Sequence, residues 1–138
     1  MKAKLDMKAI QAINLFEKVT RVKASYCFNY NGSLIFTVQY SEIRRIRTSQ
    51  LNQMGNLLGA NVKVIPNPSE KNLTSLYRFV KAIVPYPFKS INIQDKELVF
   101  LVPSTRAKAV FFGKDKSRLK ELADIIKKFF DIEKVSVR

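Results

Sequence analysis

The stretch FFGKDKSRLK at residues 111 to 120 sets one of only four glycines between an apolar pair, Phe111-Phe112, and a run holding Lys114, Lys116 and Arg118. A glycine at the head of such a run lets an anion approach the main chain with no Cβ in the way, and it permits backbone angles that other residues resist. Phosphate oxygens can then meet amide N–H groups at the start of a following helix, where the helix dipole also favours negative charge. Lysines add point charge there, and an arginine adds a fork of donors. Asp115 repels a phosphate, and its expected role is to cap the helix that starts near Lys116. A second basic run, Arg44-Arg45-Ile46-Arg47-Thr48, offers similar charge without a glycine, with Ile46 expected to point into a core.

No other combination of residue types reaches a reaction. Glu121 and Asp124 stand three apart, but a metal would need further oxygen ligands, and surface pairing with Lys120, Lys127 or Lys128 accounts for them. The chain has no His and one Cys, which excludes an internal disulfide and nearly every Zn, haem or Fe–S arrangement. No cofactor is expected, and Cys27 reads as a buried strand residue. With no general base beside a plausible partner and no nucleotide-binding loop, the chain is not expected to be an enzyme. Twenty-five Lys and Arg against eleven Asp and Glu give a net charge of +14 and a pI near 10.1, so the first partner to consider is a polyanion. No apolar segment approaches the roughly 20 residues that span a bilayer, and MKAKLDMK lacks the apolar core of a signal peptide. The expectation is a cytoplasmic, soluble protein with no membrane partner.

These residues need elements to hold them. Asp6 can cap a helix whose Ile10, Ile13, Phe16 and Val19 share a face. The runs RVKASYCFNY and SLIFTVQY flank Asn31-Gly32, the pair that best tolerates positive φ at both positions of a type I′ turn, so they predict a hairpin. In it Tyr26, Phe28 and Tyr30 alternate with Cys27 and Asn29, giving either an exposed aromatic face or, in preference, core packing. Ser41 opens a short helix through Ile43 and Ile46. LNQMGNLLG resumes with Leu51, Met54, Leu57 and Leu58 on one face, Gly59 stops it, and NVKVI follows as a strand.

Pro66 and Pro68 break the chain, and the boundary falls at about residue 67, dividing residues 1–67 from 68–138. After Ser69 the order begins again. A helix carries Leu73, Leu76, Tyr77, Val80 and Ile83 as far as Pro85 and Pro87, and strands FKSINI and KELVFLV meet at a Gln94-Asp95 turn. Ser104 or Thr105 starts a short helix, FFGKDKS follows, a longer helix carries Leu119, Leu122, Ile125, Ile126, Phe129 and Phe130, and KVSV ends the chain as a strand. LIFTVQYSE at residues 34 to 42 lines up with LVFLVPSTR at 98 to 106, so the second half repeats the first. Each half reads helix, strand, strand, short helix, loop, helix, strand, an α+β unit able to bury a small core.

That order, with a glycine-containing basic loop between two helices, resembles the type II KH domain, whose GxxG loop clamps nucleic-acid backbone. Two such units in a chain of this length, with LFEKVT at residues 15 to 20 and FFDIEKVSV at 129 to 137, resemble the archaeal NusA-like transcription termination factors. That family's second loop usually reads I-G-K-G-G and its end resembles HFDIDDV. Here Gly113 and Lys114 match, while Asp115 and Lys116 replace the two closing glycines. Counting back from LLGANVKV to the family's LGxxVxV places the first loop on Arg45-Ile46-Arg47-Thr48, where no glycine remains.

The resemblance implies two tandem type II KH-like units, each a three-stranded sheet packed with helices. It also implies binding of single-stranded RNA, nascent transcript or another cellular RNA, in transcription termination or antitermination, with RNA polymerase as a possible partner. The RNA-binding residues it points to are Arg44, Arg45, Arg47, Thr48, Gly113, Lys114, Lys116 and Arg118. The missing glycines favour a competing reading, a degenerate KH module that docks on RNA polymerase or ribosome.

Overall fold

The computed structural model describes residues 7–68 and 71–138. The capping role expected of Asp6 therefore lies outside the described residues, as does Ser69. Contacts divide the chain between Asn67 and Pro68 into two units, each built as a three-stranded sheet packed with helices. The chain is thus α+β, with two tandem type II KH-like units.

In the first unit helix α1 (Met7–Thr20) leads into strands β1 (Tyr26–Tyr30) and β2 (Ser33–Val38). Asn31 and Gly32 both take positive φ, +51° and +78°, as a type I′ turn demands. A 3-10 segment (Tyr40–Arg45), helix α2 (Thr48–Leu58) and strand β3 (Asn61–Pro66) complete the unit. The sheet order is β1-β2-β3, with β1 antiparallel and β3 parallel to β2.

Phe16 of α1 stacks on Phe36 of β2, ring centroids 4.5 Å apart, and Met54 of α2 is fully buried in the same core. Cys27 is half-buried and packs against this core. Of the β1 aromatics, Tyr30 is buried and Tyr26 and Phe28 are half-buried, so the strand shows no open aromatic face. Two residues of the expected apolar stripes face solvent instead: Ile10 is 40% exposed and Leu57 60%. Both lie near helix ends.

The second unit repeats the order with helix α3 (Leu73–Ile83), strands β4 (Ser90–Gln94) and β5 (Glu97–Leu101), helix α4 (Thr105–Phe112), a 3-10 turn (Lys114–Lys116), helix α5 (Ser117–Phe129) and strand β6 (Lys134–Val137). The sheet order is β4-β5-β6, again antiparallel then parallel. The hairpin turn sits one residue later than Gln94-Asp95. Gln94 pairs with Glu97, so Asp95 and Lys96 form the turn, both at positive φ.

Asn72 caps α3 by accepting from the Ser75 N–H at 2.9 Å. The buried face of α3 contains Phe79, whose ring lies 5.2 Å from Phe129 and 5.6 Å from Phe130, while Leu73 and Tyr77, expected inside, are exposed. Phe88, Phe100 and Phe111 form a cluster of edge-on and tilted rings that anchors the end of α4, and with it the loop that follows. Among the described residues no helix is long and apolar enough to cross a membrane.

Candidate functional site

Ser104 starts α4 as a helix cap, its Oγ accepting from the Ala107 N–H at 3.1 Å, and buried Phe111 ends the helix against the aromatic cluster. Gly113 then takes φ +67° and ψ −174°, a region essentially reserved for glycine. A Cβ built on Gly113 would lie 2.8 Å from Arg118 Cγ, so the missing side chain also makes room for Arg118. Arg118 donates from Nη1 to the Val110 carbonyl at 3.1 Å, and its guanidinium carbon lies 5.4 Å from the centre of the Tyr86 ring. The arginine closes the end of α4 from outside, where unpaired carbonyls need donors.

Asp115 (φ +55°, ψ +32°) and Lys116 (φ +60°, ψ +23°) follow, both left-handed. These are the two positions at which the resembled loop carries its closing glycines. The backbone takes the conformation glycine favours although the residues are Asp and Lys.

The expected cap by Asp115 is not made: α5 begins at Ser117 with Lys116 at its N-cap position and no side-chain capping bond. An N-cap residue normally sits in the extended region, and a left-handed chain aims the carboxylate elsewhere. The Ser117 N–H donates to the Lys114 carbonyl, and Lys116 supplies no side-chain cap to the amides that follow, which lie beside Lys114 and Lys116, both exposed. Lys116 Nζ also lies 5.6 Å from the Phe112 ring centre, and Lys108 Nζ 5.7 Å from the same ring.

The first unit makes the equivalent connection without left-handed residues. Ile46 (φ −97°, ψ +128°) and Arg47 (φ −100°, ψ +149°) are extended, which any residue adopts, so no glycine is required. Ile46 packs on the first core, as its sequence position suggested. The Arg47 N–H donates to Gln50 Oε1 at 2.8 Å, and Gln50 reaches back with Nε2 to the Val19 carbonyl at 3.3 Å, tying α2 to α1.

Arg45 is held to Glu42 at 2.7 Å. Arg44 and Arg47 are exposed and make no ion pair among the described residues, and Thr48 is the exposed first residue of α2. Thus Arg44, Arg45, Arg47 and Thr48 gather at one helix junction of the first unit, and Gly113, Lys114, Lys116 and Arg118 at the equivalent junction of the second.

Sequence reasoning missed Tyr86 and Phe112 as partners of Arg118 and Lys116. Lys108 and Phe112 are four apart on α4, a spacing that could have suggested their contact; nothing local points from Arg118 to Tyr86. It also missed a shallow hollow of about 270 Å³ between α2 and β3, lined by Asn52, Gly55, Asn56 and Asn61, the last with its amide donated to Ser33 Oγ at 3.1 Å. Among the described residues no group of three or more His, Cys, Asp or Glu could hold a metal ion.

No protein-family model matches the chain, and no curated protein matches it. Among solved structures the chain is similar to the one described as "Crystal structure of APE1850", with 28% sequence identity and a TM-score of 0.66 over 97% of this chain and 100% of that one. The two-unit architecture therefore recurs over essentially the full length of a second protein.

Proposed function

We propose that this chain is an RNA-binding protein of the transcription apparatus, a termination or antitermination factor that holds single-stranded RNA through its tandem KH-like units in the cytoplasm. The observation that carries the reading is the α4–α5 loop. It combines the glycine-type backbone at Gly113, Asp115 and Lys116, a start of α5 without a side-chain cap, and exposed Lys114 and Lys116. Backbone N–H groups with adjacent cations suit a phosphodiester, which asks for hydrogen-bond donors and positive charge but no catalytic group. Nascent transcript is the RNA this reading expects, with RNA polymerase nearby.

Fluorescence anisotropy with single-stranded RNA, in competition with heparin, tests it. RNA should bind better than heparin, and Gly113→Asp and Lys114→Asp should each weaken RNA binding.

A second reading, a KH-derived module docking on RNA polymerase or ribosome, is favoured by two features of the same loop. Asp115 places negative charge at its centre, and Arg118 is committed to Val110 and Tyr86. RNA affinity no better than heparin affinity, unchanged in both variants, selects this reading over the first.

A further inference from the structure

We propose that the first unit contributes to RNA binding by stacking a base on Tyr40, with Arg44 and Arg47 on the flanking phosphates. This rests on the RNA-binding reading and concerns the unit that has no glycine loop. Tyr40 is 82% exposed, more than any other large hydrophobic residue named among the described ones. Its side chain has no ring contact, hydrogen bond or ion pair among the described residues.

The ring stands on a firm base. Tyr40 opens the 3-10 segment that ends at Arg45; Glu42 N–H donates to the Gln39 carbonyl at 2.9 Å and Ile46 N–H to the Ile43 carbonyl at 3.0 Å. Ile43 and Ile46 pack into the first core and anchor both the segment and the loop after it. The Glu42 carboxylate neutralises Arg45 and leaves Arg44 and Arg47 as the uncommitted guanidinium groups of the segment and loop.

The internal repeat gives the ring no counterpart in the second unit. In the alignment of residues 34 to 42 with 98 to 106, Tyr40 falls opposite Ser104, which caps α4. The 3-10 segment of the first unit has no side-chain cap at its start, so the tyrosine does not replace that function. An exposed aromatic with free arginines is the combination that binds single strands without a backbone clamp: every base offers a π-face, and the cations track the phosphates. The extended residues Ile46 and Arg47 do not reproduce the second unit's loop backbone, so stacking supplies the first unit with a different grip.

The test uses the full chain and a fluorescently labelled, mixed-sequence single-stranded RNA of about 12 nucleotides, a length within known site sizes. Tyr40→Ala should weaken binding by roughly 5- to 150-fold, the range that one lost base–aromatic stack produces. Its salt dependence should match that of the wild type, because no phosphate contact is removed, whereas Arg47→Ala should flatten the salt slope by about 0.7. Tyr40→Phe should bind within about twofold of the wild type, since stacking needs the ring and not the hydroxyl. Tyr40→Trp introduces the sole tryptophan into a chain that has none, and RNA should quench its fluorescence.

Melting temperatures of these variants should match the wild type, as the ring is exposed. If the wild type binds the RNA and Tyr40→Ala binds equally well, the stacking proposal is overturned, the RNA-binding reading stands, and the ring is left for a protein partner. If the wild type fails to bind RNA, both fall.

Discussion

Replacing Gly113 with alanine perturbs the backbone and Arg118 together, and the two costs can be separated. The pair φ +67°, ψ −174° belongs to a region that costs an L-residue on the order of 1–3 kcal/mol. The new Cβ would also meet Arg118 at Cγ (2.8 Å), Cβ (3.1 Å) and Cδ (3.2 Å). To relieve this the arginine must swing away, giving up its bond to the Val110 carbonyl and its place over Tyr86. That surface bond and cation–π contact together are worth about 1 kcal/mol.

Gly113→Ala should therefore destabilise by about 2–4 kcal/mol, read as a shift in the urea midpoint followed by far-UV circular dichroism. In an Arg118→Ala background the same substitution should cost about 1 kcal/mol less, because most of the clash is gone. A cost below about 0.5 kcal/mol for Gly113→Ala would refute the backbone argument. Equal costs in both backgrounds would refute the role given to Arg118.

Three further substitutions probe the frame around the loop. Lys116→Gly relieves a left-handed residue at roughly 1 kcal/mol and loses part of that to unfolded-chain entropy, so it should be neutral to about 1 kcal/mol stabilising in urea titration. Phe100→Ala empties the centre of the Phe88–Phe100–Phe111 cluster and should cost about 3–5 kcal/mol by the same assay. Ser104→Ala removes the cap of α4 and should cost about 1 kcal/mol, with hydrogen exchange faster at Ala107 than in the wild type.

The sequence announced whatever depended on near neighbours. Asn31-Gly32 predicted its turn because few residue pairs accept two positive φ angles, and the pattern through Leu122, Ile125, Ile126 and Phe129 marked the buried face of α5. The second hairpin turn falls one residue later than the sequence suggests because Asp95 marks a turn without saying which neighbour shares it, and Lys96 is no turn signal; pairing of Gln94 with Glu97 across the sheet decides it. Ile10 and Leu57 fit the helical period and still face solvent, because periodicity reports a stripe and not how far the core beneath it extends.

At the loops, the cations and the odd glycine were legible. The left-handed angles at Asp115 and Lys116 were not, because Lys argues for another conformation and Asp, which tolerates this one, is equally suited to capping a helix. Asp115 does not cap α5 because the helix starts at Ser117, with Lys116 and not Asp115 at the N-cap position. Tyr86 holds Arg118 across a long stretch of chain, a contact made by tertiary folding that no local spacing encodes.

The account turns on whether the α4–α5 loop grips phosphates, and the salt dependence of single-stranded RNA binding measures that directly. For the wild type, log affinity should fall linearly with log salt, with a slope of about −0.7 for each phosphate neutralised. In a Lys114→Glu, Lys116→Glu double variant, affinity should fall at least about tenfold and the slope should flatten by roughly 0.7–1.4, the share of one or two phosphates. Binding by the wild type that ignores salt, or a double variant with the wild-type affinity and slope, would contradict the account.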